Sequence, residues 1–402
     1  MAIDSHNSFI FEPKRLREAR EACGKTITDL AELIGTTHQC ISRYENGKTV
    51  PKPDKVRELS RILGFPYTFF FKPKKIDGEE TIYFRSFATA TKKSKKIHEI
   101  RNRWIQEIHV YLEHILEFPS VDIPKFGRGP SYTPTRFREI DQVAALVRRH
   151  WGLGEGPISN MLLLLEKKGA IVSRSDFDDD VKIDACSYWG NNDRPYILLG
   201  SDNRGVSRSK NHKSSAVRSR FDLAHELGHL VLHADLKPSE LGDKKNHKVI
   251  EKEANRFASA FLLPSSTFGM EVFNNIDHLI ELKKRWKVSI SAMAYRAKNL
   301  ELFTDDQYIY LMKKMNKEKI LYEEPLDDEL PFEQPQVLSQ SIEMILEHNV
   351  KSAKQLIEEI GFPIHILEKL VNAEPGTFIE AEESTLPTNL VHLKNFRSQK
   401  TV

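Results

Sequence analysis

The chain has 402 residues, 40% hydrophobic, 29% charged and 9% aromatic, a soluble, globular composition whose length predicts two to four domains. No apolar run approaches the roughly 20 residues that cross a bilayer. The stretch from Met1 to Phe11 has no signal-peptide core, and three cysteines (Cys23, Cys40, Cys186) are too few for a disulfide framework. Secretion, membrane insertion and disulfide-stapled folds are therefore excluded, and a cytoplasmic chain is expected.

The net charge of +3 hides a segregation. Glu301 to Val402 carries 19 acidic and 10 basic residues, which leaves the first 300 residues at +12. A basic front with an acidic tail points to a polyanionic partner for the front, with unevenly solvated faces as the alternative.

Residues 13 to 64 read as four short helices joined by tight turns. Pro13 suits the start of a helix carrying Leu16, Ala19, Arg20 and Ala22, which Gly24 stops. Thr26, with Asp29 three residues on, is a capping-box signature for a second helix that Gly35 ends. A third helix runs from about Thr37 to Glu45 and stops at Asn46-Gly47; a fourth covers residues 55–63 and ends at Gly64. Ala31, Gly35 and Ile41 fit helix–turn–helix logic: a small residue where helices cross, a glycine to turn the chain, and an apolar anchor for the second helix.

The stretch D-L-A-E-L-I-G-T-T-H-Q-C-I-S-R-Y-E-N-G-K-T-V-P-K-P resembles the Xre/Cro-type helix–turn–helix family. The resemblance implies that Thr37, His38, Gln39, Ser42 and Arg43 face the major groove of a double-stranded DNA operator. It also implies that Asn46 and Lys48 approach phosphate. Ile27 departs from the family, many of whose members keep a backbone-contacting glutamine there. The competing reading is a four-helix protein-interaction bundle. Gln39 and Arg43 on an exposed helix face suit base-edge hydrogen bonds, which a merely solvated face does not require.

From Arg85 to Arg103 seven basic residues meet a single acid, Glu99, before Trp104, Ile108, Tyr111, Leu112, Ile115 and Leu116 recur at helical spacing. This predicts a long helix with a basic first half: a solvated lysine run, a brace between domains, or a nucleic-acid contact. Pro119, Pro124, Gly127, Gly129 and Pro130 mark the clearest boundary in the chain. Beyond it come an amphipathic helix (Ile140, Val143, Ala144, Val147, Trp151) and a second helix over residues 158–168. Three β-like runs follow at 170–173, 183–189 and 196–199, the last two joined by the hairpin signal Gly190-Asn191-Asn192-Asp193. Helices, a small sheet and more helices make an α+β order.

Phe221 to His233 reads F-D-L-A-H-E-L-G-H-L-V-L-H. His225 and His229 share a helix face and can bind one zinc ion, with Glu226 beside them to take a proton from the metal-bound water. The extended metzincin pattern is excluded, because Leu232 and Asp235 stand where its glycine and third histidine belong. His233 lies about 12 Å from His225 along the helix axis, too far to complete the same site. The next helix, over residues 249–262, offers Glu251 and Glu253, both flanking the apolar stripe of Ile250, Ala254, Phe257 and Phe261. Periodicity does not choose between them.

H-E-L-G-H-L-V-L-H followed by E-A-N-R-F-A-S-A-F-L-L-P resembles the ImmA/IrrE family of metallopeptidases. W-G-L-G-E-G-P-I at 151–158, R-P-Y-I-L-L at 194–199 and R-W-K-V-S-I-S-A-M at 285–293 support it. The resemblance implies an α+β, zincin-like metallopeptidase domain with zinc ligands His225, His229 and Glu253, the glutamate of E-A-N, and with Glu226 as catalytic base. It also implies cleavage of transcriptional repressors under stress in some members, and regulation without efficient proteolysis in others.

Two local features qualify this reading. Asn203 to Phe221 holds Arg204, Arg208, Lys210, Lys213, Arg218 and Arg220 with no acid. That run suits a solvated loop, an acidic-substrate rim or a groove for single-stranded nucleic acid. Cys186 is either buried and inert or an inhibitory zinc ligand. Tyr188 and Tyr295 are the candidates for an oxyanion stabiliser.

The expected architecture is multidomain. An all-α Xre-type helix–turn–helix DNA-binding domain occupies 1–72, and a basic linking helix with a Pro/Gly linker 73–130. The ImmA/IrrE-like zinc metallopeptidase domain covers 131–275, and a helix–turn–helix-like helical segment 276–324. An acidic linker and small helical C-terminal module, for docking or dimerisation, complete the chain at 325–402. The expected function is a DNA-binding transcriptional regulator, with a homodimer as one arrangement, whose zinc peptidase hydrolyses a peptide bond in a repressor or antitoxin under stress. Its DNA and peptidase sites are expected to fold independently. The alternative is a non-catalytic transcription factor whose peptidase-like domain senses metal, nucleic acid or a partner. The intact H-E-L-G-H favours the enzyme, since a scaffold has no need of Glu226.

Overall fold

Four short helices open the chain in a computed structural model that describes residues 10–73, 83–84, 92–127, 129, 131–174, 185–200, 207–209, 212–237, 239–240, 243–271 and 275–378. They are α1 (Pro13–Ala22), α2 (Ile27–Leu33), α3 (His38–Glu45) and α4 (Pro53–Leu63). Thr26 and Asp29 form the expected capping box: the Asp29 N–H donates to Thr26 Oγ1 at 3.1 Å, and the Thr26 N–H donates to Asp29 Oδ2 at 2.8 Å. Gly35 turns α2 into α3 at φ +60°, where a side chain would cost on the order of 1 kcal/mol. Arg20 donates to both oxygens of Glu45 at 2.5 and 2.8 Å, a buried fork that holds α3 against α1.

The long basic helix is α5 (Lys92–Glu113), and most of it is interior. Ile100, Trp104, Ile108 and Leu112 are buried, and so are the polar residues Asn102, Gln106, Glu107 and His109. On one side it meets α1: Arg15 Nη2 donates to Glu107 Oε2 at 2.7 Å, and Trp104 Nε1 to Glu18 Oε1 at 2.5 Å. On the other it meets a sheet: Asn102 Nδ2 donates to Cys186 Sγ at 3.1 Å, and the Tyr188 hydroxyl to the Asn102 carbonyl at 2.7 Å. The helix braces two parts of the fold, and its lysine run occupies only the first turns.

That sheet has the order β1-β3-β4-β2, from β1 (Tyr83–Phe84), β2 (Ile171–Arg174), β3 (Ala185–Trp189) and β4 (Pro195–Leu199). β3 runs antiparallel to both β1 and β4, and β2 runs parallel to β4. The predicted hairpin joins β3 to β4, with the Gly190 N–H donating to the Arg194 carbonyl at 2.9 Å. A second ribbon pairs β5 (Ser207–Ser209) with β6 (His212–Lys213). Side chains alternate across β3: Ser187 faces α8 (Ala216–Leu232), while Cys186 and Tyr188 face α5.

Two cores lie on the two faces of this sheet. The α8 side gathers α6 (Phe137–His150), α7 (Met161–Lys167), α9 (Lys244–Leu262), α10 (Ser265–Phe268), α11 (Ile276–Trp286), α12 (Ile290–Asn299) and α13 (Asp305–Lys317) around Leu227, Phe257, Trp286 and Met293. The other core joins the N-terminal helices, α5, the outer face of the sheet and α14 (Val337–Glu347), α15 (Ala353–Ile360) and α16 (Ile364–Val371). Packing therefore does not follow the five expected segments. The helix–turn–helix-like pair α11–α12 is part of the α8-side core, and the N-terminal helices share their core with the sheet.

The acidic stretch expected as a linker is a strap. Glu324 accepts from Lys283 Nζ at 3.0 Å and from the Ile290 N–H at 2.7 Å, and Asp327 takes the same ammonium at 2.7 Å. Glu333 accepts from the N–H groups of Met161 and Leu162, each at 3.0 Å, and pairs with Arg220. Each carboxylate thus answers a buried cation or the unsatisfied donors at a helix start. Among the described residues no helix is long and apolar enough to cross a membrane.

Candidate metal centre and DNA-reading helix

The centre depends on how closely α8 and α9 cross. A Cβ at Gly228 would stand 3.2 Å from the Cα and carbonyl oxygen of Ala254 and 3.2 Å from Phe257 Cβ, so only glycine fits without displacement. The glycine of H-E-L-G-H is therefore a packing requirement. It brings α9 close enough for one of its carboxylates to reach the histidines.

That carboxylate is Glu251. Its Oε2 lies 3.3 Å from His225 Nε2 and its Oε1 3.3 Å from His229 Nε2, and the two Nε2 atoms are 3.0 Å apart. His225, His229 and Glu251 form the one group among the described residues with three such donors in metal-holding reach. Glu253, which the resemblance implied, points elsewhere: its Oε1 accepts from the Thr135 N–H at 2.5 Å, and its Oε2 meets His233 Nε2 at 2.9 Å. The pair Glu251 and Asn255, one turn apart, brackets His225, whose Nδ1 meets Asn255 Oδ1 at 3.1 Å.

The hydrogen-bond network assigns the imidazole protons. A carboxylate only accepts, so His233 Nε2–H donates to Glu253 and His233 Nδ1 is left as an acceptor. His229 Nδ1 then donates to His233 Nδ1 at 3.1 Å, which leaves a lone pair on His229 Nε2. Donation from His225 Nδ1 to Asn255 likewise leaves a lone pair on His225 Nε2. Two nitrogen lone pairs and an anionic carboxylate converge on one point. Burial keeps His229 and His233 below the usual imidazole pKa, against the pull of Glu251 and Glu253 respectively. A tetrahedral ion with bonds of about 2.0–2.1 Å separates its donors by roughly 3.3 Å, so spacing and donor chemistry fit a divalent cation of the zinc type.

Glu226 is buried beside this group, and the Ser187 hydroxyl donates to its Oε2 at 2.5 Å. Sequence reasoning missed Ser187, because a serine in a short strand carries no periodic signal. His233, which the sequence placed outside the ligand set, supports His229 from one turn on and is itself held by Glu253; only the Glu253 and Thr135 end of that chain carried no sequence signal. His247, one turn before Glu251, lies 4.0 Å from its Oε1. Cys186 faces away from the histidines, under α5, and burial pushes its thiol pKa far up, which is the buried, inert alternative of the two. Of the oxyanion candidates, Tyr188 is bonded to α5 and Tyr295 is 45% exposed on α12. Of the basic run, Arg204 and Lys210 lie outside the described residues. Arg218 donates to the carbonyls of Leu321 and Tyr322, and Arg220 to those of Ile158 and Lys287, so both are framework residues.

On α3, Thr37 caps the N-terminus by accepting from the Cys40 N–H at 3.3 Å, and His38, Gln39, Arg43 and Lys48 are exposed. Ser42 is half-buried. Asn46 Nδ2 donates to the Ser42 carbonyl at 2.7 Å, and its Oδ1 accepts from Arg17 Nη2 at 3.0 Å. Asn46 thereby ties the end of α3 to α1.

Residues 210–298 match the family model described as IrrE N-terminal-like domain, and residues 16–70 match the model described as Helix-turn-helix. Uncharacterised HTH-type transcriptional regulators of Sinorhizobium medicae and Rhizobium meliloti are each 34% identical over 67 residues, which is 17% of this chain and 48% of theirs. One from Bacillus subtilis is 40% identical over 55 residues, 13% of this chain and 40% of its own. The chain thus spans about half the length, or less, of the curated relatives it matches. It joins a segment that matches the Xre-type helix–turn–helix model to a downstream segment that matches the IrrE/ImmA-like peptidase model.

Proposed function

We propose that the chain is a DNA-binding transcriptional regulator that also acts as a zinc-dependent peptidase on a protein partner. The observation that carries this reading is the convergence of His225, His229 and Glu251 next to Glu226. Zinc held by those three residues would lower the pKa of water to about 7 and polarise the scissile carbonyl. Glu226 accepts the water's proton at its carboxylate and returns it to the departing amine. Ser187 fixes one Glu226 oxygen, while Asn255 and the His233–Glu253 pair hold the two imidazoles in their metal-facing tautomer. Exposed Gln39 and Arg43 suit the reading of base edges in an operator, and a homodimer would match a two-fold operator. A repressor or antitoxin as substrate, and stress as trigger, rest on the resemblance to the ImmA/IrrE family.

The second reading, a transcription factor whose peptidase-like part only senses, draws support from the core shared by the N-terminal helices and the sheet. One experiment separates them. Purified wild type and Glu226→Gln, each with its zinc content measured, are incubated with the product of a neighbouring repressor gene. Glu226→Gln is expected to keep zinc and fold but abolish cleavage. Equal behaviour of the two proteins favours the sensor.

A further inference from the structure

Lys93 opens the brace helix α5 but sits, in space, against the helix–turn–helix unit. α5 runs back along α1: Glu107 meets Arg15, Trp104 meets Glu18, and Lys93 crosses the α1–α2 turn at Gly24. Its Nζ lies 2.9 Å from where a Cβ at Gly24 would stand, and Ile97 Cδ1 packs 3.5 Å from the same point. The Thr26 donors, and after them the Lys25 and Lys93 ammonium groups, hold the Asp29 carboxyl below its usual range, which puts both lysines beside the first turn of α2. Lys93 is exposed, and among the described residues no carboxylate lies within ion-pair reach of it. Lys96, further along α5, is taken by Glu99 at 3.1 Å.

When a helix–turn–helix docks, its second helix enters the major groove and the helix before it crosses the sugar–phosphate backbone. The exposed Gln39 and Arg43 stand on α3, so α2 is the helix that would meet phosphate. Its own first turn is poorly equipped for that contact. Ile27 has no side-chain donor, Thr26 and Asp29 are closed on each other in the capping box, and Asp29 and Glu32 are exposed anions. A phosphate passing there needs a cation to offset those charges. Lys93 brings an ammonium group, a point charge with three rotatable donors, to that turn from outside the unit. α5 lies beyond both family-matched segments, 16–70 and 210–298.

We propose that Lys93 contacts a backbone phosphate of bound DNA, so that the DNA footprint extends from the helix–turn–helix unit onto α5; this rests on the DNA-binding reading above. The probe is a labelled duplex of about 30 bp that the full-length wild type selects from a random-sequence pool, followed by fluorescence anisotropy across a salt series. Losing one phosphate contact lowers the salt slope by about 0.9, so Lys93→Gln should bind about eightfold more weakly at about 0.1 M salt and converge on wild type near 1 M. Lys93→Arg, which keeps the charge, should restore the wild-type slope. Lys252→Gln, an exposed lysine on α9, should leave it unchanged. A wild-type slope in Lys93→Gln, with a lowered slope in Lys48→Ala, overturns the proposal and leaves the DNA-binding reading standing. An equal loss in Lys252→Gln also overturns it, because net charge alone would then account for the effect. If no duplex is selected, or Lys48→Ala too is without effect, the DNA-binding reading fails and the proposal falls with it.

Discussion

Exchanging Glu251 and Glu253 for glutamine, one at a time, separates holding a metal from orienting its ligands. Structural zinc sites bind with about 10–16 kcal/mol; shared among three or four ligands, that is about 3–5 kcal/mol each, or roughly 10²- to 10⁴-fold in affinity. Glu251→Gln, whose amide cannot replace an anionic oxygen 3.3 Å from each Nε2, is expected to lose at least that much. Glu253→Gln keeps one oxygen for either the Thr135 N–H or the His233 N–H but turns an amide donor on the other. Its expected cost is about 10- to 100-fold in metal affinity, as for other groups that orient a ligand, with about 1–3 kcal/mol of stability lost to the unsatisfied buried donor. Competition against a chromophoric chelator gives both affinities, and a thermal melt gives the stability. Loss of the metal in Glu253→Gln with near-wild-type affinity in Glu251→Gln would refute the assignment.

The remaining predictions address the crossing, the DNA surface and the acid limb. Gly228→Val drives a branched side chain into the Ala254 backbone, at an expected cost of about 1–3 kcal/mol together with weakened zinc binding; an unchanged melting temperature counts against a tight crossing. Arg43→Ala should weaken operator binding by about 1–3 kcal/mol in fluorescence anisotropy while zinc content stays constant, and Lys48→Ala should lower the salt slope by about one. His109 is fully buried with its Nδ1 against the Tyr196 hydroxyl at 3.0 Å, and burial together with the Arg194 guanidinium pushes it down to about 3. Glu113, 3.4 Å from its Nε2, offsets this little, because Arg194 takes that carboxylate at 3.2 Å. Between pH 6.5 and 3 the unfolded chain binds a proton that the folded chain refuses, so stability should fall with acid by up to about 4 kcal/mol. Urea melts should show that slope flattened in His109→Gln; an unchanged slope would assign the acid limb to other groups.

Local order was the legible part. Capping at Thr26, the glycine stop at Gly35, the hairpin at Gly190–Asp193 and the helix of H-E-L-G-H each depend on a few neighbouring residues, and each stands where the pattern placed it. The choice of Glu251 over Glu253 was not local, because it depends on where α8 crosses α9. The small–small contact of Gly228 with Ala254 fixes that crossing, and Glu251, one turn before Ala254, falls on the contact face. The interior position of α5 was hidden by composition. Asn102, Glu107 and His109 look solvent-facing in sequence, and their partners Cys186, Arg15 and Tyr196 come from distant segments. The acidic strap misled for the same reason, since its carboxylates answer Lys283 and Arg220, far away in the chain.

β3 has a thermodynamic consequence that neither of its faces reveals alone. Ser187 grips Glu226 on one face, and Cys186 and Tyr188 are bonded to α5 on the other, with α5 in turn seated on the helix–turn–helix unit through Glu107 and Trp104. Adjacent residues of a strand cannot slide past one another, so a displacement imposed at Ser187 is a displacement of its neighbours. If operator DNA alters the affinity for a peptide at Glu226 by some factor, that peptide alters the affinity for the operator by the same factor.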